Sequence, residues 1–138
     1  MSFVAVSRVL AGDGDPARLV AWTSGRPVTL GELRDEVAAL SAALVARGCR
    51  RGMLVAHDGY WTTVGLLALL YAGATAMVPQ NLRLQGLGTD RWDCLLTDLP
   101  EGAVDSPARE RLVPLRPGAG HPAGPLPCLD PTQARLEL

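Results

Sequence analysis

The stretch from Met53 to Pro79 constrains the fold of this chain more than any other part of the sequence. It contains a short apolar segment at residues 53–57, a helix-length segment at 60–72, a break at Gly73 and a second apolar segment at 74–78. Two apolar runs joined by a helix are typical of a strand–helix–strand unit with parallel strands. Four leucines cover much of the helix circumference, so we expect the helix to be buried: Leu66, Leu67, Leu69 and Leu70.

A hairpin and a capped helix are predicted before this unit. Two β-prone pieces, at residues 19–23 and 28–30, surround a turn at 24–27. Thr29 is followed three residues later by Glu32, which is the capping-box pattern of a helix N-terminus. Apolar residues then recur at spacings of three and four up to about residue 47, and Gly48 is the predicted C-cap.

The remaining elements complete an α/β domain. Residues 92–97 are predicted to form a buried strand, and residues 112–115 an edge strand because of Pro114. We expect an N-terminal arm or short helix at 1–16, an α/β subdomain at 17–115, a Pro/Gly-rich linker at 116–131 and a terminal strand at 132–138. The predicted fold is a mainly parallel sheet flanked by helices and preceded by a β-hairpin.

Composition and charge exclude several functional classes. The chain is 48% hydrophobic and 20% charged, which indicates a packed globular core rather than disorder. A formal net charge of -1 gives no electrostatic basis for binding nucleic acid. Cys49, Cys94 and Cys128 form neither a CxxC pair nor a zinc-site spacing, so we expect free thiols in a reducing cytoplasm. The N-terminus lacks the pattern of a signal peptide.

A membrane span is the alternative interpretation of the apolar stretch. No charged residue lies between Asp58 and Arg83, a length that could cross a bilayer. Polar and helix-breaking residues divide the stretch into helix and strand pieces, and no basic cluster flanks it closely on one side. We therefore expect a buried helix and strand, and no membrane span.

Catalytic motifs are absent from the sequence. There is no GxxxxGK phosphate loop, no GxGxxG after a strand and no HExxH. His57 and Asp58 stand where a strand should end, but without a nearby nucleophile they indicate a strand terminus rather than catalysis. Trp61 is interpreted as a core residue and His121 as a solvated linker residue. No catalytic, cofactor-binding or metal-binding residue is assigned.

Several soft motifs in sequence order resemble the opening of an adenylate-forming enzyme. They are Val-Thr-Leu-Gly-Glu-Leu at 28–33, a Gly-to-strand turn at 48–55 and an Ala-Gly-Ala helix–strand junction at 72–79. The superfamily includes acyl-CoA synthetases, acyl-AMP ligases and nonribosomal adenylation domains. The resemblance covers residues 19–97 and implies the N-terminal subdomain of such an enzyme.

The resemblance also implies what the parent enzyme does. It would activate a carboxylic acid, such as a fatty acid, with ATP and magnesium, and transfer it to CoA or a carrier protein. Met53 replaces the family's usual Asp, and the segment after Pro79 is shorter than in the family. The Ser/Thr/Gly-rich phosphate loop and its lysine are missing, so this chain is expected to end just before that loop and to lack catalysis and cofactors by itself. Its expected partners are the rest of the ligase or a second copy of itself. The alternative is a small non-enzymatic α/β module that binds a partner.

Overall fold

The computed structural model describes residues 6–12, 14–79, 91–99, 111–115, 126 and 134–137. This part of the chain contains three helices and seven strands. In order they are α1 (Val6–Ala11), β1 (Leu19–Thr23), β2 (Arg26–Thr29), α2 (Leu30–Ala46), β3 (Arg51–Val55), α3 (Gly59–Tyr71), β4 (Thr75–Met77), β5 (Cys94–Thr97), β6 (Leu112–Pro114) and β7 (Leu136–Glu137).

The predicted hairpin is present, with a tighter turn than expected. β1 and β2 pair antiparallel, and Thr23 lies opposite Arg26. Only Ser24 and Gly25 form the turn, and both have positive φ, at 50° and 73°. This is the backbone of a two-residue hairpin turn whose twist matches that of the strands. The predicted four-residue turn was therefore wrong, since Arg26 and Pro27 already belong to β2.

α2 begins and ends where its capping residues predict. The Glu32 amide donates to the Thr29 side-chain oxygen at 3.3 Å, and the Glu32 carboxylate binds Arg26 at 2.7 Å. At the other end Gly48 has φ +67°, and the amides of Gly48 and Cys49 donate to the carbonyls of Val45 and Leu44 at 3.0 Å each. These two bonds define a Schellman motif, which brings the chain from α2 directly into β3.

Five strands form one sheet in the order β6-β5-β3-β4-β7, and every described pairing in it is parallel. Gly52 of β3 lies opposite Ala76 of β4 on one side and Cys94 of β5 on the other. The mainly parallel α/β sheet with a preceding hairpin is therefore confirmed. Two strand bounds differ from the prediction: β3 is shifted two residues toward the N-terminus, and β5 begins only at Cys94.

Close approach of α3 to β3 depends on two glycines. A Cβ atom added to Gly52 would lie 2.2 Å from a methyl group of Leu69, and one added to Gly65 would lie 2.5 Å from a methyl group of Leu54. Each glycine therefore leaves room for a leucine of the other element. Both leucines are almost fully buried, so the helix and the strand interlock at these positions.

The expectation that α3 is buried is confirmed only in part. Leu69 is fully buried, whereas Leu66, Leu67 and Leu70 are only partly buried. The physical reason is that α3 packs on α2 and on the sheet, and these contacts occupy only part of its circumference. No described helix is long and apolar enough to cross a membrane.

The core has two parts, one on each face of the sheet. The larger cluster includes Val37, Leu40 and Leu44 of α2 together with the sheet and α3. The smaller one contains Met53, Val55, Trp92 and Leu95. Alternate residues along β3 and β5 thus enter different clusters, as expected for a sheet that is covered on both faces.

The terminal segments are described only in part. α1 confirms a short helix within residues 1–16, and Arg34 of α2 donates to the Val9 carbonyl at 2.7 and 3.0 Å, which holds α1 in place. The predicted linker at 116–131 and His121 lie outside the described residues, with one exception. Leu126 is only 9% exposed and belongs to the larger core cluster, so this position is packed rather than solvated.

Candidate functional site

The order in which strands are added to the sheet changes side between β3 and β5. From β3 the chain proceeds through α3 to β4 on one side, whereas β5 and β6 lie on the other side. In open parallel sheets, ligands bind outside the carboxyl ends of the strands at such a switch point. Here the residues that follow β3 are His57 and Asp58, and those that follow β5 are Asp98 and Leu99.

The Asp98 carboxylate bridges the two strand ends. It accepts hydrogen bonds from the His57 amide at 2.9 and 3.1 Å and from the Asp58 amide at 3.0 Å. The His57 Nδ1 atom lies 3.4 Å from the same carboxylate, and the His57 side chain is half exposed. His57 and Asp58 thus lie just after the end of β3, where their amides bind the Asp98 carboxylate.

Asp58 connects the switch point to α3 and to the hairpin. Its carboxylate accepts from the Tyr60 amide at 2.8 Å, so Asp58 is the N-cap of α3. It also accepts a short hydrogen bond from the Thr23 hydroxyl of β1. The Thr23 hydrogen bond, followed by that of the Tyr60 amide, lowers the pKa of the Asp58 carboxyl.

A small cavity of about 230 Å³ opens beside these residues. Its wall is apolar except for the ends of β5, and it is lined by Trp61, Thr97, Asp98, Leu99, Pro114 and Leu115. The Thr97 hydroxyl accepts from the Leu99 amide at 3.1 Å, so it holds the turn after β5. Trp61, predicted as a core residue, packs partly against the larger cluster and also borders this cavity.

The backbone amides at the switch point are not free to bind a nucleotide phosphate. The amides of His57, Asp58 and Tyr60 already donate to carboxylates, and two carboxylates at this edge repel an anion. All 13 basic residues are arginine, so the chain offers no lysine to a phosphate.

The opposite end of the sheet, where β3 and β5 begin, holds a side-chain cluster that the sequence spacing did not reveal. Sulfur atoms of Cys49 and Cys94 and a carboxylate oxygen of Asp93 all lie within 4.8 Å of one another. Cys49 precedes β3 and Cys94 begins β5, and these two strands are neighbours. Strand pairing brings together two thiols that lie 45 residues apart in the sequence, so a search for a CxxC spacing could not detect that they are neighbours.

The two thiols interact with each other. Both cysteines are free and buried, with exposed fractions of 7% and 4%. A hydrogen bond with the Cys94 thiol, followed by burial, raises the pKa of Cys49. The same hydrogen bond lowers the pKa of Cys94. Cys128 lies outside the described residues.

The fold defined by these elements is that of the N-terminal part of adenylate-forming enzymes, as the sequence motifs predicted. The evidence is structural, because the sequence matches no family model and no curated protein.

Three solved structures illustrate the likeness. The NpsA-ThdA adenylation–carrier fusion from Klebsiella oxytoca matches 96% of this chain with a TM-score of 0.71 at 20% identity. The NpsA N-terminal subdomain matches 96% with a TM-score of 0.66 at 19% identity. The o-succinylbenzoate CoA synthetase from Bacillus subtilis matches 87% with a TM-score of 0.66 at 18% identity. The chain spans only 27%, 36% and 27% of these three chains, respectively.

Proposed function

We propose that this chain is the N-terminal structural piece of an ATP-dependent enzyme that activates a carboxylic acid as an acyl-adenylate. The observation that supports the proposal most strongly is the extent of the structural likeness. The likeness includes 87% of this chain for the CoA synthetase and 96% for the adenylation–carrier fusion, but only 27% of each of those two chains. We would not expect a small independent module to share the fold of part of a larger enzyme over nearly its whole length.

The chemistry of the switch point supports a structural role for this piece. Its amide donors are satisfied by Asp58 and Asp98, and the sequence contains no lysine. ATP, magnesium and the acyl group would therefore be held by other parts of the enzyme. The acyl substrate would be a carboxylic acid, with fatty acids as one candidate class, and the acceptor would be CoA or a carrier protein.

The partners and location follow from the same proposal. The first partner is the remainder of the ligase, which would cover apolar side chains that this piece exposes, and a second copy of the chain is the other candidate. The enzyme would act in the cytoplasm, which agrees with the free thiols of Cys49 and Cys94.

The test identifies the polypeptide that carries this chain in its source cell. An affinity tag is placed at the chromosomal N-terminus, and the intact mass and associated proteins of the purified product are measured. We expect a product much larger than 14.5 kDa, or a stable complex with a second polypeptide that supplies a phosphate loop. A lone 138-residue product without such a partner would contradict the proposal and favour a non-enzymatic module.

ATP binding by the isolated chain gives a second, simpler test. Calorimetric titration of the 138-residue chain with ATP and magnesium should show no binding, because phosphate recognition needs free converging amides and those at the switch point already donate to Asp58 and Asp98. Micromolar binding would contradict the assignment of the nucleotide site to other parts of the enzyme.

A further inference from the structure

Three potential metal ligands meet at the amino edge of the sheet, opposite the switch point. They are the thiols of Cys49 and Cys94 and the carboxylate of Asp93, with donor atoms within 4.8 Å of one another. The two thiols are buried, whereas Asp93 is exposed. The cluster thus has an apolar side within the core and an open side toward solvent.

Backbone hydrogen bonds fix the position of each ligand. The Schellman motif of α2 places Cys49, whose amide donates to the Leu44 carbonyl at 3.0 Å. Parallel pairing of β5 with β3 places Cys94 opposite Gly52. The Asp93 carboxylate accepts from the Arg50 amide at 3.1 and 3.2 Å, which ties the residue after Cys49 to the start of β5.

We propose that Cys49, Asp93 and Cys94 bind a zinc ion, with a water molecule as the fourth ligand. Thiolates and carboxylates are common zinc ligands, and three protein ligands with one open position form a familiar coordination set. The exposed side of Asp93 gives water and the incoming ion access to the site. The thiol protons would leave to solvent when the ion binds.

The geometry needs little change to hold the ion. Zinc lies about 2.3 Å from a thiolate sulfur and about 2.0–2.2 Å from a carboxylate oxygen, so tetrahedral ligand atoms lie about 3.5–3.8 Å apart. The donor atoms of this cluster all lie within 4.8 Å of one another, which is close to this spacing. The amides of Arg50 and Arg51 donate to the Asp93 carboxylate and would help to orient it, as outer-shell groups do in established sites.

The proposal is independent of the adenylation function, because the cluster lies at the opposite edge from the switch point. It assigns an ion that would join the α2–β3 connection to β5. An ion bound only by the folded chain would also raise its stability.

The first experiment uses the reduced chain with Cys128→Ser, so that the third thiol does not contribute. Titration with Co²⁺ should produce thiolate-to-cobalt charge-transfer absorption that saturates at one ion per chain, and Zn²⁺ should displace it. Cys49→Ser and Cys94→Ser should each abolish the band. Asp93→Asn should weaken zinc binding about tenfold or more, whereas Asp35→Asn, an exposed carboxylate on α2, should leave it unchanged.

A second experiment needs no substitution and therefore no variant that could fail to fold. Alkylation of the unsubstituted, reduced chain is followed by mass spectrometry with and without Zn²⁺. We expect zinc to protect Cys49 and Cys94 but not Cys128. Equal alkylation of all three with and without zinc would overturn the proposal. So would binding that survives Cys49→Ser, or a pair of thiols that forms a disulfide in air but binds no metal when reduced.

Discussion

Asp58 joins three elements through a single carboxylate. It ends the connection from β3, caps α3 through the Tyr60 amide and accepts from Thr23 of the hairpin. Sequence reasoning identified Asp58 only as one half of a His–Asp pair at a strand end. Its link to Thr23 spans 35 positions, so no local pattern could predict it.

Replacement of Asp58 should destabilise the fold measurably. Asp58→Ala removes the N-cap of α3 and leaves the Thr23 hydroxyl without this acceptor, so we expect the free energy of unfolding to fall by about 1–2 kcal/mol. Asp35→Ala removes an exposed carboxylate from α2 and should change it by less than about 0.5 kcal/mol. Urea denaturation of both variants measures the difference, and equal values would contradict the assigned role.

The same carboxylate should make stability depend on pH. Because the Thr23 hydrogen bond lowers the pKa of Asp58 in the folded state, the unfolded chain takes up this proton more readily. The stabilising contribution is therefore present above the unfolded pKa of Asp58 and is lost as the pH falls through its lowered folded pKa. The difference in unfolding free energy between the wild type and Asp58→Ala should shrink in acid, and a constant difference would contradict this account.

At the scale of elements, the interlock of β3 with α3 sets how closely the helix approaches the sheet. Gly52 has no room for a Cβ atom, because a methyl group of Leu69 would lie 2.2 Å away. Leu69 is fully buried, so it cannot move aside without disturbing the core. Sequence periodicity found both elements but could not reveal which glycine faces which leucine.

Alanine at Gly52 should therefore be costly. We expect Gly52→Ala to lower the free energy of unfolding by about 1–3 kcal/mol, because overpacking forces side chains from their preferred rotamers. Gly59→Ala is the matched control: no atom lies within 4 Å of its added Cβ, and it should be neutral or slightly stabilising. Thermal unfolding of the pair provides the comparison, and a harmless Gly52→Ala would show that the helix can shift on the sheet.

A structural feature could be predicted from the sequence when the residues that cause it lie close together in the chain. The Thr29 capping box, the Gly48 terminus and the hairpin are encoded within a few residues, and the sequence identified each of them. The strand order depends on contacts between distant parts of the chain, and no residue pattern near Cys94 predicts that β5 pairs with β3. The cysteine–aspartate cluster and the Asp98 bridge both depend on that order, so the sequence could not predict them.

At the scale of the whole molecule, apolar side chains remain exposed on the hairpin and at a sheet edge. Trp22 is 62% exposed, Leu19 49% and Leu136 52%. Among the described strands β1 pairs only with β2, and β7 forms one edge of the five-stranded sheet. Open strand edges beside apolar side chains favour association with another chain.

Self-association of the isolated chain is the expected consequence. Light scattering over a range of concentrations should detect dimers or larger species, and Trp22→Ser should reduce them. Val45→Ser is the control, since Val45 is 61% exposed but lies on the helix α2 and not on a strand. A strictly monomeric chain would contradict this prediction and favour the independent module.

Carboxylate-dependent ATP–pyrophosphate exchange tests the central claim most directly. The assay compares the natural product that carries this chain, purified with its associated polypeptides, with the isolated 138-residue chain, each against a panel of carboxylic acids. The account predicts exchange by the natural product with at least one class of acid and none by the isolated chain. No exchange by the natural product with any acid, or exchange catalysed by the isolated chain, would contradict it.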